Sequence, residues 1–158
     1  MGVAGSGKST VGRMLAAALG WPYYEADDFH SPSNVEKMSR GLPLDDTDRL
    51  PWLRAIRAKI DGCRAAGQNA VFSCSALKEK YRVQLDIGAA DILLVHLTGD
   101  SATILARVGQ RQGHYLKPEL VQSQFDALES PSEALSLDIK QSPEEIVQVI
   151  IRKLHVVP

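Results

Sequence analysis

The chain opens with Met1-Gly2-Val3-Ala4-Gly5-Ser6-Gly7-Lys8-Ser9-Thr10, which contains the complete pattern G-x-x-x-x-G-K-[ST]. Glycines at these positions allow successive backbone N–H groups to point toward one centre, which forms a concave anion nest. In this pattern the lysine reaches the β- and γ-phosphates of a nucleotide, and the hydroxyl that follows it binds Mg²⁺. The sequence therefore predicts that the stretch from Gly2 through Thr10 binds a nucleotide, with Lys8 at the phosphates and Ser9 at the metal.

The residues after this loop have the pattern of an amphipathic helix. Val11, Met14, Leu15 and Leu19 recur at helical spacing, and Gly20 supplies a stop. A loop followed directly by a helix is the context that the motif requires, because the helix N-terminus adds its favourable dipole. The alternative, an ordinary glycine-rich turn, does not need this context.

Short apolar runs alternate with helical patterns along the rest of the chain. The predicted strands are Tyr23-Tyr24 and residues 70–73, 92–97 and 135–139. One predicted helix has Leu53, Ile56 and Ile60 on one face, and three more span residues 77–85, 102–108 and 118–128. A last helix is predicted after a capping box at Ser142. Because the apolar runs are continuous, the strands are expected to be buried on both faces. The prediction is an α/β fold, a parallel sheet flanked by helices, in a single domain over residues 1–158.

Composition and charge exclude several classes of protein. At 158 residues, with 44% hydrophobic and 23% charged residues, the chain has the length and composition of a soluble globular protein with a single core. A formal net charge of −1 gives no basic field, so no nucleic-acid partner is expected. Neither a run of about 18 apolar residues nor a signal peptide is evident, which predicts a cytoplasmic protein without a membrane partner. Cys63 and Cys74 form no metal-ligand pattern and are predicted to be reduced thiols.

An acidic segment, Glu25-Ala26-Asp27-Asp28, directly follows the first predicted strand. In an open parallel sheet the ligand lies outside the carboxyl ends of the strands. Carboxylates at that edge can orient Mg²⁺ through water and accept a proton from an attacking hydroxyl. A solvated acidic turn is the alternative, and the phosphate loop favours the ligand site.

Residues 30–53 are rich in polar groups yet include a Met, a Trp and three prolines, which predicts an ordered segment outside the core. Within it, the guanidinium of Arg49 suits a substrate carboxylate. The spacing equally allows Arg49 to pair with Asp45 or Asp46. Farther on, small residues precede Lys78 at a strand-to-helix turn, where backbone can approach a ligand; alone, Lys78 would be a surface lysine.

Two arginines lie four residues apart on one predicted helix, Arg107 and Arg111, and Gly113-His114 follow them. Arginines beside a glycine hinge suit a lid that closes over transferring phosphate charge. A solvated helix end is the competing interpretation.

Together these segments resemble the gluconate kinases, small relatives of the shikimate and nucleoside-monophosphate kinases. The resemblance is carried by the phosphate loop, Glu25-x-Asp27, His30, Asn34, Lys37-Met38, Gly41-x-Pro43-Leu44, Asp48-Arg49, Pro51-Trp52-Leu53, Cys74-Ser75-Ala76-Leu77-Lys78, Tyr81-Arg82, Arg107, Arg111, Gly113-His114, Gln122-x-Gln124-Phe125 and Leu128-Glu129. It covers nearly the whole chain. The family usually has Asp at the position of Glu25, so the water-mediated contact with Mg²⁺ is expected to be slightly repositioned.

The resemblance implies ATP-dependent phosphorylation of the 6-hydroxyl of D-gluconate by a Mg²⁺-requiring homodimer. It implies a P-loop kinase fold with five parallel strands in the order 2-3-1-4-5 and a lid around residues 107–125. The resemblance implies that Lys8 and the loop amides bind the phosphates, and that Ser9 and, indirectly, Glu25 bind the metal. It implies that Asp27 accepts the hydroxyl proton and that Arg107 and Arg111 stabilise the transferring phosphoryl group. The implied substrate-binding residues are Asp27, His30, Arg49, Ser75, Lys78 and His114. Residues 139–143 are expected to border adenine.

Other functions that use a phosphate loop fit the sequence less well. The guanine-reading Asn-Lys-x-Asp of GTPases is absent, and no hydrophobic strand ends in the acidic pair of motor-type ATPases. Two alternatives stay open: another small-molecule kinase, for shikimate or a nucleotide, and a truncated, catalytically impaired nucleotide-binding protein.

A phosphate loop normally follows a buried parallel strand, and here no residue precedes Met1 to form it. In the order 2-3-1-4-5 this first strand is central, so its absence would leave a gap of about 9–10 Å. Each buried unpaired backbone group costs roughly 1–3 kcal/mol. We therefore expect the physiological chain to start about 8–15 residues earlier, with an apolar strand. The 158-residue form is expected to be poorly stable or inactive unless something fills the gap.

Overall fold

Helices and parallel strands alternate along the chain in the computed structural model, which describes residues 1–109 and 118–154 (side chains of 118–120 excepted). The helices are α1 (Lys8–Leu19), α2 (Pro32–Ser39), α3 (Asp46–Ala65), α4 (Glu79–Gln84), α5 (Ser101–Gly109), α6 (Pro118–Asp126) and α7 (Pro143–Lys153). The strands are β1 (Tyr23–Glu25), β2 (Val71–Ser73), β3 (Val95–Thr98) and β4 (Leu135–Asp138), and a 3₁₀ turn spans Ala26–Phe29. The predicted α/β class is confirmed.

Local sequence signals explain where several helices begin and end. A capping box opens α7, because Ser142 accepts a hydrogen bond from the backbone N–H of Glu145 and the Glu145 carboxylate accepts one in return. A second box, between Asp45 and Asp48, opens α3. Gly20 ends α1 in the left-handed conformation that glycine adopts readily.

The prediction that residues 30–53 lie outside the core is wrong at Trp52. Because α3 begins at Asp46, Trp52 falls on the same helix face as Ile56, and the two side chains are 3% and 0% exposed. The indole N–H of Trp52 donates to the carbonyl of Ala26 at 2.7 Å, which satisfies its polar atom inside the core. The tryptophan thereby fixes α3 against the turn that follows β1.

The four described strands form two separate parallel pairs, β1 with β2 and β3 with β4. These pairs are the ones that the order 2-3-1-4-5 places on either side of its central strand, but a five-stranded order is not seen among the described residues. The first residues of the chain lie between the pairs. Leu97 N–H donates to the carbonyl of Met1 at 3.0 Å, and Gly2 N–H donates to the carbonyl of Ser75 at 3.3 Å. The start of the phosphate loop is thus anchored to the carboxyl ends of β2 and β3.

A cleft of about 530 Å³ separates the two pairs, with apolar side chains of α1, β2 and β3 among its walls. Each side has its own core. One gathers around α1, β3, β4 and α7, and the other around α3 and α4. The low stability expected for the chain stays a prediction.

Two further sequence predictions concern membrane-spanning helices and the two cysteines. Within the described ranges, none of the helices combines the length and apolar character needed to cross a bilayer. Cys63 and Cys74 are free, as predicted, and burial raises the pKa of the Cys74 thiol to about 11.

Candidate active site

Glycine is required at two positions of the phosphate loop by close approach as well as by backbone conformation. Gly2, Gly5 and Gly7 have φ values of +142°, +84° and +88°. A Cβ on Gly2 would lie 2.7 Å from the carbonyl oxygen of Leu97, and one on Gly5 would lie 2.6 Å from Val108 Cγ2. A Cβ on Gly7 would meet nothing within 4 Å. The loop is therefore packed against β3 at Gly2 and against α5 at Gly5, and it is open at Gly7.

The N-terminus of α1 differs from the starts of α2, α3 and α7, each of which a side chain caps. Its N-cap is Gly7, no side chain caps it, and its first turn has no acidic residue. The first N–H groups of a helix have no partner within the helix and carry its positive dipole end. At α1 these groups remain available to an anion held over the loop.

Three polar groups of the loop, on Lys8, Ser6 and Ala4, are placed where they can surround a bound phosphate. Lys8 Nζ donates to the carbonyl of Val3 at 3.0 Å, so the lysine lies back across the loop. The hydroxyl of Ser6 is buried without a hydrogen-bond partner in the described part of the chain. The N–H of Ala4 donates to Gln124 Oε1 at 2.6 Å, which ties α6 to the loop. The loop thus has both the shape and the polar groups of a phosphate cradle.

The predicted metal residues, Ser9 and Glu25, both approach one phenol. Tyr23 donates its hydroxyl to Glu25 Oε2 at 2.5 Å. Burial and the Glu25 carboxylate raise the pKa of Tyr23, while the hydroxyls of Ser73 and Ser9 act in the opposite direction. Oxygen donors of this kind suit Mg²⁺, which takes one or two protein ligands and completes its shell with phosphates and water. The fit to Mg²⁺ rests on these two oxygens, since residues 1–109 and 118–154 contain no cluster of three or more acidic, His or Cys ligands.

A pocket of about 280 Å³ brings together three of the predicted substrate residues, Arg49, Ser75 and Lys78. Its other walls are Leu44, Asp45, Asp46, Leu77 and Tyr81. The Lys78 ammonium lies 3.8 Å from Asp46, whose carboxylate also accepts from Lys80 and from the Tyr81 hydroxyl. Those two hydrogen bonds, Lys80 first, lower the pKa of Asp46 to about 2. The carboxylate is therefore ionised and committed to its neighbours.

Arg49 does not pair with Asp45 or Asp46, the alternative that its spacing allowed. Asp45 faces Lys37 instead, and Asp46 binds the lysines beside the pocket. Arg49 Nε donates to the carbonyl of Leu44 at 3.3 Å, and its guanidinium lies 5.7 Å from the centre of the Tyr81 ring. Among the described side chains no carboxylate neutralises Arg49, which leaves its charge available in the pocket.

His30 stacks on Trp52, with ring centres 4.6 Å apart and planes 9° from parallel. Its Nδ1 is buried without a partner in the part of the chain described. Burial lowers the pKa of His30, the positive charge of Arg49 adds to this, and Asp27 opposes it. The imidazole is therefore neutral near pH 7, with Asp27 and Arg49 close enough to influence it.

The predicted lid arginines are only partly placed. Arg107 lies in the last turn of α5, where its Nη2 donates to the carbonyl of Ile139 at 2.6 Å. It therefore contacts the segment after β4, which the resemblance assigns to adenine. Arg111 and His114 lie outside the described residues.

Three residues near the site were given no binding or catalytic role in the sequence analysis, which treated Asp46 only as a possible partner of Arg49 and Gln124 only as part of the resemblance: Tyr23, Asp46 and Gln124. Tyr23 could have been recognised because residues two apart on a strand share a face, here with Glu25. Asp46 and Gln124 gave no local signal, since their partners are 35 and 120 residues away in sequence.

Comparison with known proteins points to one family. A family model described as shikimate kinase matches residues 4–155. A probable gluconokinase of Rattus norvegicus is 43% identical over 171 residues, covering 97% of this chain and 88% of the relative. A sugar kinase from Janibacter sp. HTCC2649 aligns at TM-score 0.90 and 40% identity, covering 100% of this chain and 93% of that one. A gluconokinase from Sinorhizobium meliloti 1021 aligns at TM-score 0.86 and 41% identity, covering 98% and 89%. The chain belongs to the gluconokinase family, in the wider group of shikimate kinase-like P-loop kinases.

Proposed function

We propose that this protein is an ATP:D-gluconate 6-phosphotransferase, which converts D-gluconate to 6-phospho-D-gluconate. The proposal is carried by a phosphate loop without a side-chain cap, whose Gly2 is hydrogen-bonded to Ser75. Ser75 lines a pocket that also holds Arg49, which no carboxylate among the described residues neutralises. The loop accounts for a nucleotide and the arginine for a sugar-acid carboxylate. Relatives at about 40% identity are named gluconokinases, which favours gluconate over shikimate or a nucleotide as the acceptor.

In the proposed mechanism the N–H groups of the loop and of the first turn of α1 hold the ATP phosphates, with Lys8 at the β- and γ-phosphates. Mg²⁺, held through Ser9 and indirectly Glu25, would neutralise charge on the phosphates. Asp27 orients the 6-hydroxyl and takes its proton. Little base strength is needed if the transition state is loose.

In this proposal other residues bind the carboxylate and the remaining hydroxyls of the substrate. Arg49 and Lys78 face the carboxylate, and neutral His30 and Ser75 bond sugar hydroxyls. Arg107 and Arg111 stabilise the transferring phosphoryl group, and His114 contacts the substrate, when a lid around residues 107–125 closes. Arg107 would then leave the carbonyl of Ile139.

We also propose that residues 1–158 form a single domain that acts as a homodimer in the cytoplasm. The homodimer follows from the family resemblance, and sedimentation equilibrium of the purified chain measures it. A monomer at working concentrations would contradict the homodimer.

The proposed activity is tested by coupled ADP release over a panel of sugar acids, shikimate and nucleoside monophosphates. D-Gluconate is expected to be turned over with the highest kcat/KM, in a reaction that requires Mg²⁺. Phosphorus NMR of the product should show a phosphomonoester on the primary hydroxyl. Preference for shikimate or a nucleotide, or ATP binding without turnover of any acceptor, would contradict the proposal.

Substitution Arg49→Lys is expected to raise KM for gluconate without changing KM for ATP. An ammonium keeps the charge but loses the two-pronged contact with a carboxylate, a loss of about 1–3 kcal/mol. Steady-state kinetics with each substrate varied in turn measures the effect.

The matched control is Arg57→Lys on the same helix, because Arg57 pairs with Asp61 away from the pocket. This substitution should leave both KM values unchanged. An unaltered gluconate KM in the Arg49 variant would assign Arg49 a structural role.

A further inference from the structure

Tyr23 hydrogen-bonds Glu25, one of the two predicted metal-binding residues, and its ring is held firmly. A Cβ on Gly12 of α1 would lie 2.7 Å from Tyr23 Cε2, so the ring rests directly on the helix backbone. The guanidinium of Arg13 lies 4.8 Å from the ring centre. Gly12 and Arg13 come one turn after Ser9, so the ring is fixed to the helix whose first turn carries Ser9.

The hydroxyl of this ring reaches the carboxylate at the end of β1. Tyr23 and Glu25 are two residues apart on a strand and share a face. A glutamate has three side-chain torsions and loses much freedom when it is fixed in one conformation. The hydrogen bond from Tyr23 holds Oε2 in place.

We propose that Tyr23 is a positioning residue, which holds the Glu25 carboxylate toward the Ser9 hydroxyl so that the two side chains serve one nucleotide-bound divalent cation. The inference rests on the proposed function, because the cation is the Mg²⁺ of the bound nucleotide. Tyr23 packs on the helix that carries Ser9 and hydrogen-bonds the carboxylate on the strand, so it fixes the distance between the two elements.

The test is Mn²⁺ binding to the full chain saturated with a non-hydrolysable ATP analogue, followed by electron paramagnetic resonance of the free ion. Mn²⁺ takes the same oxygen ligands as Mg²⁺. Tyr23→Phe keeps the ring on Gly12 and removes only the hydroxyl. Its dissociation constant for Mn²⁺ is expected to rise about tenfold, the lower end of the range for groups that orient metal ligands.

The control is Tyr24→Phe, the neighbouring residue on the same strand. Tyr24 points to the other face, where its ring packs 5.0 Å from that of Phe72. Loss of this hydroxyl should leave Mn²⁺ affinity unchanged. Melting temperatures of all variants check that each is folded.

A double-mutant cycle with Glu25→Gln separates positioning from a general structural effect. If Tyr23 acts through Glu25, adding Tyr23→Phe to Glu25→Gln should change the dissociation constant less than twofold. An equal loss in both backgrounds, or unchanged Mn²⁺ affinity in Tyr23→Phe when the parent binds the ion, would overturn the inference and leave the proposed function standing. A parent protein that binds no metal–nucleotide complex would instead overturn both.

Discussion

Replacement of Lys8 by alanine is expected to lower kcat/KM for gluconate phosphorylation by about 1000-fold, or about 4 kcal/mol of transition-state stabilisation. The ammonium acts on the ligand, because charge on the transferring phosphoryl group is neutralised at the loop. In the structure Lys8 Nζ donates to the carbonyl of Val3. Loss of that bond costs at most about 1.5–3 kcal/mol of folding free energy. The variant should therefore fold but not turn over.

Lys153→Ala is the matched control, since Lys153 is an exposed residue of the last turn of α7, far along the chain from the loop. Initial rates and thermal melts of both variants should separate the chemistry from the fold. A Lys8→Ala enzyme within threefold of the parent, about 0.7 kcal/mol of barrier, would show that Lys8 does not serve the transferring phosphate.

The elements that could be predicted from sequence are those with local causes. The phosphate loop was predictable because its glycines are dictated by left-handed φ values and by close approach at Gly2 and Gly5. The start of α7 was predictable because a capping box is a contact between residues three apart. Such features depend on a few neighbouring residues, so a pattern of spacing is sufficient to find them.

Features that depend on distant contacts were missed or misjudged. The segment around Trp52 appeared too polar for the core, yet its indole bonds Ala26, which is 26 residues away. The alternative pairing of Arg49 with an aspartate could not be decided by spacing, because Lys37, Lys78 and Lys80 compete for the same carboxylates. The 3₁₀ turn and α2 were not predicted, since each is too short to show a periodic pattern.

Substitution Gly7→Ala is expected to weaken nucleotide binding about 100-fold while the protein stays folded. Gly7 has φ +88°, so an alanine there carries the left-handed strain of about 1–2 kcal/mol. Its Cβ would meet no protein atom within 4 Å and would project from the open part of the loop. A methyl group at a phosphate cradle displaces the anion or the amides that bind it, and hydrogen bonds to charged groups contribute about 1.5–3 kcal/mol each.

Gly20→Ala tests this interpretation, because it places the same methyl group at the other end of α1. Gly20 also has a left-handed φ, +66°, and an added Cβ there also meets nothing within 4 Å. The two variants should therefore lose similar folding free energy, measured by denaturant unfolding. Only Gly7→Ala should lose affinity for an ATP analogue in calorimetry, because only its methyl group lies where phosphate is proposed to bind. Equal affinities would mean that the open space at Gly7 is not the phosphate site, whereas an equal loss in both would mean that strain in α1, transmitted to the loop, governs binding.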